Sequence, residues 1–302
     1  WATVADCSRR ETDGSCFSVP AMAERIEDVL QKYWGFGGFL PLQKEAVTCI
    51  FEGQDSIVVL PTGGGKSLCF QAPSLLLPGL TLVVSPLLSL MKDQVDALLE
   101  WGVPAARLDS SMSQVERNET FNRLHGRELR LLYVSPERLL MEGFLDFLKA
   151  KGISSVAVDE AHCISVWGHD FRPEYRQLGI LKEALPGIPI GAYTATATER
   201  VRRDIQEQLR LNHPRVFVGK FDRPNLLYRV RRRIHSLRQV CEALERHRGE
   251  SGIVYCIRRV DVDEMCLQLA NRGYRVAPYH AGMTAEDLSL IHISEPTRQA
   301  EI

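Results

Sequence analysis

The chain has 302 residues, of which 45% are hydrophobic and 25% charged, with a formal net charge of -1. That is the composition of a globular chain with material for one large or two ordinary domains, and it has no global basic field to gather a polyanion. No apolar run approaches the roughly 20 residues of a membrane-spanning helix, and the first residues lack the apolar core of a secretory signal.

Residues 1–21 show no helical or strand period and read as a leader outside the fold. At Met22 the stretch "MAERIEDVLQKYW" begins an amphipathic helical pattern. From residue 56 short apolar runs alternate with longer amphipathic ones. Strands are predicted at Ser56–Leu60, Thr81–Ser85, Leu129–Val134, Ile153–Val158 and Ile188–Tyr193. Helices are predicted between them, at Leu87–Trp101, Ser113–His125 and Pro173–Leu185 among others. This alternation predicts an α/β fold: a parallel sheet with helices on both faces, binding ligands beyond the carboxyl ends of its strands. A similar run starts near Asp222, with a strand at Leu226–Val230, a helix, the strand "SGIVYC" (251–256), another helix, and "YRVAPYH" (274–280). The eight cysteines are scattered and form no C-x-x-C pair. They read as small buried hydrophobes, and no zinc site is expected.

Two stretches carry chemistry. "PTGGGKS" (61–67) follows a strand and precedes a helix. Its glycines let amide groups converge on an anion, and a helix N-terminus favours negative charge. The stretch therefore reads as a phosphate cradle built on Thr62, Gly63, Gly64, Gly65 and Lys66. Lys66 faces the β- and γ-phosphates, and Ser67 ligates Mg²⁺. The strict pattern begins with Gly, where this chain has Leu60. A plain glycine turn is the bland alternative. Against it stands "SSVAVDEAH" (154–162), which puts Asp159 and Glu160 at the carboxyl end of an apolar strand. An Asp there can hold Mg²⁺ and an adjacent Glu can orient a water. Lys66, Asp159 and Glu160 form the candidate catalytic set, and Ser67 and Asp159 the candidate metal ligands.

"PTGGGKS", "DEAH" (159–162) and "TATAT" (194–198) resemble motifs I, II and III of superfamily 2 helicases. "DEAHCISVWGHDFRPEYRQLG" (159–179) resembles the aromatic-rich loop of RecQ DNA helicases. "YWGFGGFLPLQ" (33–43) is similar to that family's motif 0 and "VVSPLLSLMKDQV" (83–95) to its motif Ia. "FDRPNL" (221–226) and "YHAGM" (279–283) continue the likeness, which covers roughly Met22 to Glu286. The resemblance implies a RecA-like ATP-binding domain over 22–220 and part of a second RecA-like domain over 221–286. It implies an ATP-dependent 3′→5′ DNA helicase that uses ATP and Mg²⁺. Its partners would be single-stranded and partly duplex DNA, its processes recombination and repair. Its place would be the bacterial cytoplasm and nucleoid or the eukaryotic nucleus.

By the same resemblance Gln43 reads the adenine edge. Trp167, His169, Phe171 and Arg172 contact single-stranded DNA, and His162 relays between the ATP site and Thr194 and Thr196. A structural histidine satisfied at the sheet edge is the alternative for His162. Core packing is the alternative for Trp34, Phe36 and Phe39, and a solvated basic face for Arg200, Arg202, Arg203 and "RVRRR" (229–233). Leu40 stands where the family carries Arg, and Val166 where it carries Gln. The family's late Q-x-x-G-R-x-G-R motif, which supplies arginine fingers, has no counterpart among the 302 residues. Residues 287–302 include "LSLIHISEPTRQAEI", which resembles translated sequencing-adapter sequence and reads as foreign to the fold. Two other readings stay open: a nucleotide- and single-strand-binding module without turnover, and another nucleic-acid-stimulated ATPase of the superfamily. The aromatic-rich loop weighs against the second.

Overall fold

A computed structural model describes residues 19–221 and 226–283, with side chains from residue 25 onward. The readings made on 1–18 and 284–302 lie outside the described residues. The chain divides into two compact units between Arg223 and Pro224.

In the first unit, helices α1 (Val19–Trp34) and α2 (Gln43–Phe51) precede the first strand. The order continues β1 (Ser56–Val59), α3 (Leu68–Ser74), β2 (Leu80–Val84), α4 (Leu88–Glu100), β3 (Ala105–Leu108), α5 (Gln114–His125) and β4 (Leu131–Val134). Then come α6 (Pro136–Leu139), α7 (Phe144–Lys151), β5 (Ile153–Val158), α8 (Pro173–Arg176), α9 (Ile180–Ala184), β6 (Ile190–Thr194), α10 (Glu199–Gln208) and β7 (Arg215–Val218). The seven strands form one sheet in the order β3-β4-β2-β5-β6-β1-β7. Every pairing is parallel.

The inner strands are mostly apolar because both faces are covered. Ile57, Val59, Leu82, Val84, Val156 and Val158 pack on one side with Leu178 and Ile205. Val58, Val83, Tyr133, Ala157 and Tyr193 pack on the other with Phe70 and Met91. Trp34, Phe36 and Phe39 are partly buried against the cluster of Ile26, Leu30, Val47, Leu68 and Ala72, so their bland reading holds.

The amino end of the sheet is tied by one carboxylate. Asp55, 2% exposed, accepts hydrogen bonds from Lys182 Nζ at 2.6 Å, Ile190 N at 2.9 Å and Asn212 N at 2.7 Å. It thereby joins the starts of β1 and β6 and the approach to β7.

Several expectations need correction. The strands β3 ("AARL") and β7 ("RVFV") were not expected. Both are edge strands; the first has weak strand formers and the second exposes three of its four side chains. The helix expected over Pro173–Leu185 is broken by a 3₁₀ turn at Gln177–Gly179. Gly179 lies so close to the backbone of Gln208 that a Cβ would stand 2.5 Å from its carbonyl oxygen. In the second unit the described structure consists of α11 (Ser236–Arg246) and α12 (Arg259–Ala270). No strand forms at 226–230, 251–256 or 274–280. Val230, Tyr255 and Ile257 are 98%, 89% and 95% exposed. A parallel ladder needs both faces covered, and these segments bury neither.

Candidate active site

The site lies along the carboxyl edge of the middle strands. Val59 pairs with Thr194, and Val158 with Ala192, so the ends of β1, β6 and β5 lie side by side. The Leu60 amide donates to Thr194 O at 3.1 Å. This brings "PTGGGKS", "TATAT" and "DEAH" to one edge.

Leu60 shows why the missing glycine is tolerated. Its side chain is 3% exposed and packs in the core. The loop itself needs glycine at two places. Gly63 has φ 80°, and Gly65 has φ 66° with Gln43 Nε2 only 2.2 Å from where a Cβ would stand. Thr62 and Gly63 form the exposed tip. Gly64 N donates to Pro61 O at 2.9 Å. Lys66 Nζ donates to Leu60 O at 3.3 Å. The helix opens at Leu68, with Ser67 as its N-cap.

Gln43 is 2% exposed and its amide is spent on the loop. It donates to Gly64 O and Gly65 O, both at 3.2 Å, and accepts from Leu40 N at 2.8 Å. Leu40 is 48% exposed. The amide therefore clamps the cradle in this state, a role its sequence position did not reveal.

The two carboxyls after β5 are pushed in opposite directions. Burial, then the neighbouring Glu160 charge, lifts the Asp159 carboxyl to about 6. Asp159 accepts from Glu160 N at 3.0 Å, and Tyr175 Oη donates to its backbone carbonyl at 3.1 Å. Glu160 is held below the ordinary range, mainly by its hydrogen bond with His162. His162 Nδ1 lies 3.1 Å from Glu160 Oε2. Glu160 also has φ 46°, a strained backbone for a non-glycine residue, costing about 1–3 kcal/mol. Two adjacent carboxyls thus sit in opposed electrostatic environments.

Because a carboxylate only accepts, His162 carries its proton on Nδ1. The same Nδ1 lies 2.8 Å from Thr194 Oγ1. Thr194 Oγ1 accepts from Thr196 N and donates to Thr196 O, both at 3.2 Å. Thr196 Oγ1 reaches His169 Nδ1 at 3.4 Å, and the His169 ring stacks on His162 at 4.1 Å and 18°. His169 therefore joins the line of contacts through His162, Thr194 and Thr196, which the sequence did not suggest.

The loop after "DEAH" is pinned at its base and open at its tip. Arg172 donates to Pro86 O at 2.9 Å and to Asp170 Oδ2 at 3.2 and 3.3 Å, so its guanidinium staples the loop to the segment after β2. A Cβ on Gly168 would stand 2.4 Å from His162 O, so only glycine allows this approach. Trp167 and Phe171 are 57% and 38% exposed. Neither is consumed by the core.

Oxygen donors from Ser67 and Asp159 suit Mg²⁺, which takes few protein ligands and keeps waters or phosphate oxygens for the rest. Among the described residues no cluster of three or more His, Cys, Asp or Glu side chains is placed to hold a metal ion. The burial of Asp159 yields a prediction. Its folded-state value lies above the unfolded one, so its contribution to stability is full near pH 4 and is lost as pH rises through about 6. Without divalent ion, Asp159→Asn is expected to stabilise the chain by about 1–3 kcal/mol at neutral pH and to leave it unchanged near pH 4. Thermal melts across this range check it, and a gain independent of pH would contradict it.

A family model described as DEAD/DEAH box helicase matches residues 40–205. The chain is 46% identical over 256 residues to an ATP-dependent DNA helicase RecQ of Pasteurella multocida (strain Pm70), covering 85% of this chain and 40% of that protein. It is 37% identical over 317 residues to an ATP-dependent DNA helicase Q1 of Rattus norvegicus, covering 98% of this chain and 51% of that protein. The chain thus spans 40% and 51% of the lengths of these relatives. In the crystal structure of the DUF1998 helicase MrfA bound to DNA the same fold recurs, with a TM-score of 0.63 at 18% identity, covering 89% of this chain and 42% of that one. The family match takes in the glycine loop, the DEAH turn and the threonine segment that the sheet brings together, and over more than half its length the chain belongs to the DEAD/DEAH box helicase family.

Proposed function

We propose that the whole protein is a RecQ-like ATP-dependent DNA helicase, and that these 302 residues supply its nucleotide site and a single-strand platform. The observation that carries this reading is the chain of contacts from Glu160 through His162, Thr194 and Thr196 to His169. It joins the water-orienting carboxylate to the loop that presents Trp167 and Phe171. In this reading Gly63, Gly64 and Gly65 cradle the phosphates and Lys66 leaves Leu60 O for the β- and γ-oxygens. Gln43 leaves the loop for the adenine edge. Ser67 and Asp159 hold Mg²⁺, which neutralises phosphate charge when bound. Glu160, kept ionised by His162, orients the attacking water and accepts its proton. Exposed rings in the loop stack on bases without reading sequence. A strand that orders the loop moves His169, and through His162 adjusts Glu160. Unwinding, polarity and a role in recombination and repair are proposed for the whole protein.

Lys66→Ala is expected to weaken Mg-ATP binding tenfold or more, since hydrogen bonds to charged groups are worth about 1.5–3 kcal/mol, while oligothymidylate binding stays in place. Phe171→Ala is expected to do the reverse, losing about 1–3 kcal/mol of single-strand affinity. Fluorescence titrations with each ligand, beside thermal melts, make the comparison. Joint loss of both ligands and of thermal stability in Phe171→Ala would return the ring to the core and defeat the reading.

A further inference from the structure

The basic residues after "TATAT" do not act as one face. Arg202 Nη1 donates to Ala197 O at 2.9 Å, and Arg203 pairs with Glu199 on its own helix. Arg200 alone of the three turns to the loop. Its guanidinium carbon lies 3.2 Å from the centroid of the Trp167 ring. Trp167 nevertheless remains 57% exposed, so with the cation on one face the other is left to solvent. Arg200 stands in the first turn of α10, which Thr198 caps by accepting a hydrogen bond from Val201 N at 3.4 Å. The cation is thus mounted on a capped helix start rather than on a free loop.

A guanidinium stacks flat on an indole face and is attracted by the ring quadrupole. An exposed tryptophan on a loop otherwise samples several rotamers and loses that freedom when a base stacks on it. We propose that Arg200 is a positioning residue for single-strand binding: it holds Trp167 in one rotamer with one face presented to a base. Its effect on the strand runs through Trp167. The Trp167–Arg200 stack and the His169–Thr196 contact then anchor the loop twice to residues 194–200. The inference rests on the reading of the loop as a single-strand platform.

The test is a double-mutant cycle in the full 302-residue chain, with fluorescein-labelled oligothymidylate as the probe and anisotropy as the readout. Arg200→Ala is expected to weaken binding roughly two- to fivefold, the range of an exposed cation–π contact. Trp167→Ala is expected to weaken it by about fivefold or more. In the Trp167→Ala background, Arg200→Ala is expected to add nothing, because the ring through which it acts is gone. Arg200→Lys should recover part of the loss, since an ammonium also rests on an indole face. Melting temperature and Mg-ATP affinity should match the parent in each variant. Additive losses would place Arg200 on a phosphate instead, and tighter binding by Arg200→Ala would make it a competitor for the ring. Either result, or no change, overturns the proposal while a large Trp167→Ala effect leaves the platform standing. If Trp167→Ala binds as the parent does, platform and proposal fall together.

Discussion

Glu160→Gln is expected to lower ATP hydrolysis by about 10²–10⁴-fold while Mg-ATP binding stays at parent level or tightens. The amide keeps the size of the side chain but cannot accept a proton from water. It also removes the charge that fixes the proton of His162 on Nδ1, 3.1 Å away. Binding is expected to survive because the charge on Glu160 raises its neighbour: without it the Asp159 carboxyl ionises more readily and becomes the better metal ligand. Single-turnover hydrolysis at saturating nucleotide in the full-length protein is the measurement, paired with nucleotide titrations. A rate within tenfold of the parent would take Glu160 out of the water-orienting role. Loss of nucleotide binding instead would make it a structural carboxylate.

Asp55→Ala is expected to cost about 3–5 kcal/mol of stability, the range for removing one partner of a buried charge pair. Asp55 lies at the end of the sheet opposite the site. Its loss strands Lys182, whose other contact is Ile188 O at 3.3 Å, and leaves the amides of Ile190 and Asn212 without their acceptor. Those amides begin β6 and lead to β7, and β6 carries Thr194. Asp55→Asn is expected to cost less, because an amide oxygen still accepts. Denaturant midpoints with an unchanged slope measure the difference. A loss below about 1 kcal/mol in Asp55→Ala would show that the three strand starts hold without this carboxylate.

β1, β2 and β5 were legible because each is a run of four to six residues buried on both faces. β3 and β7 were not, because an edge strand is defined by its neighbour more than by its side chains. The strands expected at 226–230 and 251–256 are short apolar runs like β1 yet form no ladder among the described residues, where both segments stay largely exposed. Exposure of Trp167 and Phe171, 57% and 38%, was expected only through the resemblance and not from the residues themselves. Aromatic composition is the same for a core ring and a platform ring, and only the packing of the loop decides.

What the amino-acid sequence determined by itself is what lies within a few residues. The glycine loop joins a strand to a helix, with Lys66 and Ser67 at the join. The adjacent carboxyls Asp159 and Glu160 end a buried strand, and the rings follow Glu160 in one loop. These follow from spacing and side-chain chemistry, which act over a single turn or strand. Tertiary structure decided the pairings between distant positions: Gln43 on the glycine loop, His162 on Thr194, His169 on Thr196 and Arg200 on Trp167. The last three depend on the parallel register that places Val59 beside Thr194 and Val158 beside Ala192. That register is set by burial of both sheet faces, a property no single segment carries.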